Sequence, residues 1–238
     1  MLTAEEKQRY ARNLALDNFS EENQSRLAEA SVLVVGAGAL GSIVATYLAG
    51  AGVGRIGIAD FDTIDVSNLQ RQILYSTDSL GKSKVETLAA HIRRLNPLVH
   101  VEIYQSFLKD NDLTRNLIEK YDIIVEGSDN PETKHLLEHL AMESGKPLVV
   151  GGVSQWKGQV MTVMPGHASF SELFGHGQSC SGYTPCSGGG VLGPVPGIVA
   201  SLQATEVIKL IIKQGSTLTD RIITFDARDM SFRTWKIG

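Results

Sequence analysis

A glycine-rich turn and an acid that follows it are the first residues in the sequence that could bind a ligand. The stretch VLVVGAGALGS places Gly36, Gly38 and Gly41 in G-x-G-x-x-G spacing, between an apolar run and a helix-forming segment. Such glycines permit a tight turn and close approach of a phosphate, and the amino end of the helix favours an anion. Asp60 ends the next apolar run, where a carboxylate can accept hydrogen bonds from ribose hydroxyls. The pattern predicts a nucleotide site; the alternative is that the glycines serve only helix–strand packing.

The polar run after Asp60 indicates which nucleotide would bind. In DFDTIDVSNLQRQ, Asn68, Gln70 and Arg71 lie close behind Asp60, and Lys84 comes shortly after. A triphosphate carries several negative charges and needs cations at fixed positions. For any one of these residues the alternative is a solvated loop charge. Together with Asp60 they favour a nucleoside triphosphate over the nicotinamide dinucleotide of a dehydrogenase.

Composition and charge limit the class of protein. The 238 residues are 42% hydrophobic and 20% charged, which is typical of a globular chain that can form one large α/β domain. A formal net charge of −4 does not indicate DNA or a membrane as a partner. Two cysteines imply no disulfide framework, and the charged start MLTAEEKQRY lacks the apolar core of a signal peptide. We therefore expect a soluble, cytoplasmic protein.

Regularly spaced apolar runs predict the strands that must position these residues. The predicted strands are 32–35, 55–60, 99–104, 122–127 and 147–152, and helix-like segments separate them at 41–50, 82–95, 110–120 and 131–144. Strands that alternate with helices are typical of a doubly wound, mainly parallel sheet. A Rossmann-like, nucleotide-binding core over 30–150 would therefore follow an N-terminal helical arm over 1–29.

The pattern changes in the last part of the chain, 151–238. GQVMTVM predicts an antiparallel strand, and the glycine- and serine-rich stretch 166–190 predicts a long loop. A mostly buried helix is expected over 197–213 and a closing hairpin over 221–237. The sequence thus predicts a single α/β domain, 1–238, in which antiparallel C-terminal strands extend the parallel sheet.

Several stretches occur in the order typical of one family. They are RYARN, VLVVGAGALGS, AGVGRIGIADFDTIDVSNLQRQ, GKSKVE, LNP, EGSDN and GVLGPVPGIVASLQATEVIKL. From about residue 9 to the final hairpin the chain resembles the ThiF/MoeB/HesA family, which is similar to the ubiquitin-activating enzymes. NLQRQ at its distance from the glycine turn is the specific part of the match. The resemblance implies ATP- and magnesium-dependent adenylation of the C-terminal glycine of a small ubiquitin-like sulfur-carrier protein that ends in Gly-Gly.

The resemblance also implies roles for individual residues. Asp60 would hold the ribose. Asn68, Arg71 and Lys84 would hold the triphosphate and stabilise charge as pyrophosphate leaves. Asp129 in GSDN would bind magnesium; from the residues alone, the alternative is that it caps the helix that follows. The expected nucleotide-contacting set is Gly36, Gly38, Ala39, Gly41, Asp60, Asp62, Asn68, Gln70, Arg71, Lys84, Asp129 and Asn130.

Two further residues match family positions outside this set. Arg12 in RYARN corresponds to an arginine that reaches the partner's active site in family dimers, so the resemblance implies a homodimer. Cys186 stands where some relatives use a cysteine to form a linkage with the carrier; the alternative is an inert loop cysteine. Adenylation itself needs no covalent residue.

The sequence departs from the family pattern at the zinc site. Many members hold a structural zinc with two C-x-x-C pairs. In ASFSEL, Ser169 and Glu172 stand where the first pair would be, and no second pair follows. We therefore expect that the usual zinc is absent; His167, His176, Cys180 and Cys186 match no recognised metal spacing. Ala39 replaces a common glycine, a change that keeps the backbone N–H.

Several functions stay open. The leading one is ThiF-like adenylation of a ThiS-like carrier for thiamine thiazole synthesis, which GVLGPV favours. The alternatives are MoeB-like adenylation of the small subunit of molybdopterin synthase, or activation of another substrate such as a peptide or a tRNA base. An NAD-dependent oxidoreductase would need a hydride-transfer site, for which we find no His or Lys. A non-catalytic carrier-binding module would not need Asp60, Arg71, Lys84 and Asp129 together.

Overall fold

The strands of the described residues form one eight-stranded sheet. The computed structural model describes residues 2–175 and 189–237. Its strands are β1 (Ser31–Val35), β2 (Arg55–Ala59), β3 (His100–Tyr104), β4 (Ile123–Glu126), β5 (Leu148–Ser154), β6 (Lys157–Val163), β7 (Arg221–Asp226) and β8 (Ser231–Lys236). They lie in the order β3-β2-β1-β4-β5-β6-β7-β8.

Helices cover both faces of this sheet. They are α1 (Ala4–Arg9), α2 (Ala11–Leu14), α3 (Glu21–Glu29), α4 (Gly41–Ala51), α5 (Lys84–Leu95), α6 (Asp112–Glu119), α7 (Pro131–Glu143), α8 (Phe170–Phe174) and α9 (Pro194–Ile212). Two short 3-10 helices, Val66–Asn68 and Thr77–Ser79, lie in the connection between β2 and α5.

The first five strands are parallel and the last three antiparallel, as the sequence predicted. Val34 of β1 pairs with Ile58 of β2 on one side and with Val125 of β4 on the other. From β5 onward each strand pairs antiparallel with the next, for example Val150 with Met161. The direction of chain progression therefore reverses between β1 and β4, and ligands of open α/β sheets bind at the carboxyl ends of strands at such a point.

The central strand β1 is buried because it faces two apolar layers. Its residues Val32 and Val34 belong to the layer that packs under α4, α5 and α9, whereas Leu33 and Val35 belong to the layer under α6 and α7. A strand covered on both faces is apolar at every position rather than at alternate ones. This explains why VLVV is a continuous apolar run.

Helix α9 is long and apolar because it lies in the core. Its length and its hydropathy of 1.5 would also suit a membrane span. Half of it is buried, and it packs against α4 and against β5 and β6. This is the environment of a core helix that covers one face of a sheet.

The N-terminal arm and the long loop differ in detail from the sequence predictions. The arm is three short helices: the capping residues Thr3 and Ser20 start α1 and α3, and a break at Tyr10 separates α1 from α2. It is fixed to the core where the buried amide of Asn96 donates a hydrogen bond to the Tyr10 hydroxyl at 2.9 Å. The stretch 166–190, predicted as a loop, contains the helix α8.

Candidate active site

A cavity of about 830 Å³ lies at the carboxyl ends of β1, β2, β4 and β5. Of the twelve expected nucleotide-contacting residues, those that line it are Gly36, Gly38, Ala39, Asp60, Asp62, Gln70, Arg71, Lys84, Asp129 and Asn130. Gly41 begins α4 just behind the wall, and Asn68 lies outside the lining set. The cavity therefore occupies the point where strand order reverses, which is where the sequence analysis expects the nucleotide.

The three glycines of the turn differ in the room that each position has for a side chain. Gly36 has a φ of +94°, and a Cβ on it would lie 2.8 Å from the carbonyl of Gly127. A Cβ on Gly41 would overlap the carbonyl oxygen of Gly36. By contrast, a Cβ on Gly38 would meet only the side chain of Gln72, at 3.5 Å. Packing explains Gly36 and Gly41 but not Gly38, which borders the cavity.

Asp60 connects the end of β2 to the glycine turn. One carboxylate oxygen accepts a hydrogen bond from the backbone N–H of Ala37 at 2.6 Å, and the other accepts one from that of Asp62 at 2.8 Å. Each oxygen has a second lone pair that can accept a further hydrogen bond. Asp60 is thus held rigidly at the cavity wall, and its role toward a ribose stays a prediction.

Lys84 brings a buried positive charge to the cavity. It is the first residue of α5, and its Nζ donates a hydrogen bond to the half-exposed carboxylate of Asp62 at 2.8 Å. Tyr75 donates a hydrogen bond to the carbonyl of Ala37 at 2.6 Å and so joins the same region to the turn. Burial, followed by the charge of Asp60, raises the pKa of Tyr75 far above its ordinary value, so the phenol keeps its proton.

The last three residues of the NLQRQ run border the cavity, and Asn68 does not. Arg71 borders the cavity, and its guanidinium donates a hydrogen bond to the carbonyl of Ser67 at 3.0 Å. Gln70 is exposed at the rim. Asn68 instead accepts a hydrogen bond from the backbone N–H of Asp65 at 3.3 Å, within the 3-10 helix Val66–Asn68. A triphosphate contact by Asn68 stays a prediction.

Asp129 presents an exposed carboxylate to the cavity, where it could hold a magnesium ion. The N-cap of α7 is Asn130 and not Asp129. The Asn130 side chain accepts a hydrogen bond from Thr133 N–H at 3.1 Å, and Pro131 is the first residue of the helix. In residues 2–175 and 189–237, no hydrogen-bond donor contacts the exposed carboxylate of Asp129. Because magnesium is commonly bound by one or two carboxylates together with substrate phosphates, Asp129 fits this ion.

A buried ion pair under the Asp129 turn was missed by the sequence analysis. Glu126 ends β4 with no exposed surface and pairs with Lys134 of α7. Burial raises the pKa of Glu126, and the charge of Lys134 opposes this effect. The available signal was an acid at the end of an otherwise apolar strand, because such a residue needs a buried partner.

Three more residues of the cavity wall were also missed. Phe61 and Phe107 are about half-exposed and make an edge-to-face contact with ring centroids 5.3 Å apart. Gln72 is buried, and its Oε1 has no hydrogen-bond partner in the described part of the chain. The signal for Phe61 was an aromatic residue directly after Asp60. Gln72 carries no such signal, because a glutamine is polar whether it is buried or exposed.

Two predicted site residues do not line the cavity in the described part of the chain. Arg12 is exposed on α2 and does not line the cavity of its own chain. Cys186, with His176 and Cys180, lies outside the described residues. His167 pairs with Asp220, with Nδ1 2.8 Å from the carboxylate.

The positions that correspond to the first zinc pair form a helix cap. The Ser169 hydroxyl accepts a hydrogen bond from Glu172 N–H at 3.0 Å, and the Glu172 carboxylate accepts one from Ser169 N–H at 2.9 Å. This reciprocal capping box starts α8. Glu138 of α7 also accepts hydrogen bonds from the backbone N–H groups of Phe170 and Ser171. Among residues 2–175 and 189–237, no group of three His, Cys, Asp or Glu side chains is arranged for a metal.

The glycine geometry predicts that Gly38→Ala and Gly36→Ala separate binding from folding. Because Gly38 has room for a Cβ on the protein side, Gly38→Ala should keep the wild-type melting temperature and weaken ATP binding about tenfold, or about 1.4 kcal/mol. Gly36→Ala should lower the free energy of unfolding by about 1–3 kcal/mol. Calorimetric titration and denaturant unfolding measure the two effects. Wild-type ATP affinity in Gly38→Ala would mean that the turn serves packing alone.

The capping box predicts that α8 does not depend on zinc. Ser169→Ala should lower the free energy of unfolding by about 0.5–2 kcal/mol, whereas Glu172→Gln, which keeps the reach-back hydrogen bond, should cost less. Treatment with a chelator in the absence of nucleotide should leave the melting temperature unchanged. A lower melting temperature after chelation would contradict this prediction.

Comparison with known proteins places this geometry in a family. The sequence profile of the ThiF family matches residues 10–238. The SAMP-activating enzyme E1 of Haloferax volcanii is 38% identical, over 98% of this chain and 86% of that protein. A probable molybdopterin-synthase adenylyltransferase of Porphyra purpurea is 39% identical, over 98% of this chain and 61% of that protein.

Some relatives are longer than this chain, and solved structures share its fold. The chain spans about 60% of the length of the first curated relatives that it matches. A crystal structure of E. coli MccB with ATP has a TM-score of 0.82 at 24% identity and covers 97% of this chain and 72% of MccB, which shows a shared fold. The family match extends over nearly the whole chain, and the chain therefore belongs to the ThiF family.

Proposed function

We propose that the protein is an adenylyltransferase that uses ATP to activate the C-terminal glycine of a ubiquitin-like sulfur-carrier protein. The observation that carries the proposal is the cavity that joins the glycine turn, Asp60, Arg71, Lys84 and Asp129. The relatives, an activating enzyme E1 and a probable adenylyltransferase, support the same reaction class.

The charges around the cavity suit the attack of a carboxylate on a phosphate. Two anions repel each other, so the reaction needs cations and in-line alignment. Arg71 and Lys84 supply positive charge, and the glycine turn and Asp60 would fix the nucleotide. Asp129 would hold a magnesium ion, which when bound would supply further positive charge.

The proposed reaction needs no covalent enzyme intermediate. A carboxylate oxygen of the carrier's C-terminus attacks the α-phosphorus of ATP, and the bond from that phosphorus to the β-phosphate bridging oxygen breaks. Pyrophosphate leaves with the electron pair, and an acyl-adenylate forms. No nucleophilic side chain is needed for this step, so the proposal does not depend on Cys186.

Part of the cavity wall suits an extended tail of small residues. Gly152, Gly189 and Gly190 belong to the lining and carry no side chains. The segment that contains Gly190 is fixed to the β5–β6 turn, because Gln155 N–H donates to Gly190 O at 2.9 Å and Leu192 N–H donates to Gln155 O at 3.0 Å. A Gly-Gly terminus can pass such a passage more easily than a terminus with bulky side chains.

The pathway of the carrier is a finer proposal. GVLGPV, which leads into α9, favours a ThiS-like carrier and thiamine thiazole synthesis. Similarity to the Porphyra purpurea protein favours the small subunit of molybdopterin synthase as the second candidate. The two proposals use the same cavity and differ only in the carrier.

Isotope exchange between ATP and pyrophosphate tests the proposed reaction. We expect exchange with a purified carrier that ends in Gly-Gly and none without a carrier. Asp129→Ala should lower the exchange rate about 100-fold or more, because a charge worth several kcal/mol is lost. The matched control Asp78→Ala changes an exposed acid outside the cavity and should exchange normally. No exchange with either carrier, despite ATP binding, would redirect the proposal to a small molecule, a peptide or RNA.

Arg12 provides a test of the proposed homodimer. Because Arg12 is exposed and outside its own cavity, we expect that it completes the partner's site. Arg12→Ala and Asp129→Ala should each be nearly inactive, yet mixed dimers should recover activity, since one site then has both residues. The measurement is pyrophosphate exchange after the two variants are mixed. Full activity of the wild type as a demonstrated monomer, or no recovery on mixing, would refute the arrangement.

A further inference from the structure

The turn that carries Asp129 rests on the buried ion pair of Glu126 and Lys134. We propose that this pair is a positioning device that holds the Asp129 carboxylate in place for a divalent metal and so sets the metal affinity of the site. The inference rests on the proposed function, because it assumes a nucleotide-bound metal at Asp129. Neither member of the pair is expected to contact the metal or the nucleotide.

Lys134 lines the cavity but has no donor left for a ligand. A lysine ammonium carries three N–H groups. In this structure Nζ contacts the Glu126 carboxylate, the carbonyl oxygen of Ser128 at 3.1 Å and the carbonyl oxygen of Gly151 at 2.8 Å. All three donors are therefore used within the protein, and the side chain is largely buried. This geometry favours a positioning role over direct phosphate binding.

Glu126 fixes the residue before Asp129, and that residue in turn contacts the one after Asp129. Its Oε1 accepts a hydrogen bond from Ser128 N–H at 2.8 Å and another from the Ser128 hydroxyl. The same hydroxyl oxygen lies 3.4 Å from Asn130 N and accepts its hydrogen bond. Residues 128 and 130 are thus held while the carboxylate between them faces the cavity. A rigid backbone with a free carboxylate is what a metal ligand requires.

The pair connects three elements whose relative position defines the site. Glu126 ends β4, Lys134 lies on α7, and Gly151 lies on β5. Loss of one partner leaves a buried charge without compensation, so the surrounding turn has to rearrange. Changes in residues that orient metal ligands commonly lower metal affinity 10–100-fold. We therefore expect the pair to control binding of the metal more strongly than binding of the nucleotide.

Titration with Mn²⁺ measures this effect without using activity. Full-length protein is saturated with a non-hydrolysable ATP analogue, and the Kd of Mn²⁺ is measured by the electron paramagnetic resonance signal of the free ion. Lys134→Met and Glu126→Gln should each raise this Kd about tenfold or more relative to the wild type. The Kd of the analogue in the absence of metal should stay within about twofold of the wild-type value. A twofold change corresponds to about 0.4 kcal/mol of binding free energy.

Lys209 provides a matched control. It pairs with the buried carboxylate of Glu206 and donates a hydrogen bond to Ser216 O at 2.8 Å, and neither Lys209 nor Glu206 lines the cavity. Lys209→Met should therefore lower the melting temperature as Lys134→Met does, but leave the Mn²⁺ affinity unchanged. A purely structural role for Lys134 would make the two variants equivalent in both measurements.

The Asp129→Ala variant separates failure of the inference from failure of the proposed function. If Asp129→Ala binds Mn²⁺ as the wild type does, the assignment of the metal to Asp129 is wrong. If it binds weakly while both pair variants bind normally, the positioning role is overturned. An equal loss of metal-free analogue binding in Lys134→Met would also overturn it, because Lys134 would then contact the nucleotide. If Lys134→Met does not fold, Glu126→Gln, which keeps the shape of the side chain, decides the question.

Discussion

The close contact of three backbones at the end of β1 is the constraint on which the rest of the site depends. Gly36 follows β1, Gly41 begins α4 and Gly127 follows β4; a Cβ would clash at Gly36 and Gly41 and would be tightly packed at Gly127. A Cβ on Gly127 would lie 3.0 Å from Gly41 N. Because these backbones meet, the carboxyl ends of two parallel strands and the amino end of a helix border one cavity. Asp129 reaches that cavity because its turn starts from the same contact.

The charges around the cavity are held in place before any ligand arrives. Lys84 is paired with Asp62, and Asp60 is fixed by two backbone N–H groups. Preorganised charges of this kind need little rearrangement when charge develops on a substrate. Asp129 is the exception, since its position is determined by neighbouring residues and not by contacts of its own carboxylate. The cavity wall thus combines a lysine held by its ion pair with an exposed carboxylate that no donor contacts in the described part of the chain.

Most of the fold could be predicted because its signals are local. Strands β1, β2, β4 and β5 are short, mostly apolar runs between helical segments, and covering on both faces explains why they do not alternate. Strand β3 lies at the edge of the sheet and is partly exposed. The helix cap that was the alternative role for Asp129 is formed by its neighbour Asn130, because aspartate and asparagine cap equally well and only the backbone decides between neighbours. Helix α8 was missed although Ser169 and Glu172 have capping-box spacing, since the surrounding glycines and serines favour a loop.

The parts of the site that could not be predicted depend on contacts between distant elements. The partner of Glu126 lies on the next helix, and the room at Gly38 depends on the side chain of Gln72 from another segment. Neither contact leaves a periodic pattern in the sequence. Residue types at a characteristic spacing indicate candidate ligand-binding residues. They do not indicate which other residues hold those candidates in position.

The attachment of the Gly190 segment to Gln155 gives the protein a built-in optical reporter. Trp156 follows Gln155 at the tip of the β5–β6 turn and is 44% exposed. Indole emission depends on hydration, so its wavelength and intensity register the surroundings of the passage proposed for the carrier tail. Trp235, on the edge strand β8, is the other indole in the sequence and lies on a separate part of the sheet. Replacing either one by phenylalanine leaves a single-fluorophore protein in which events at the two places are observed independently, without an attached dye.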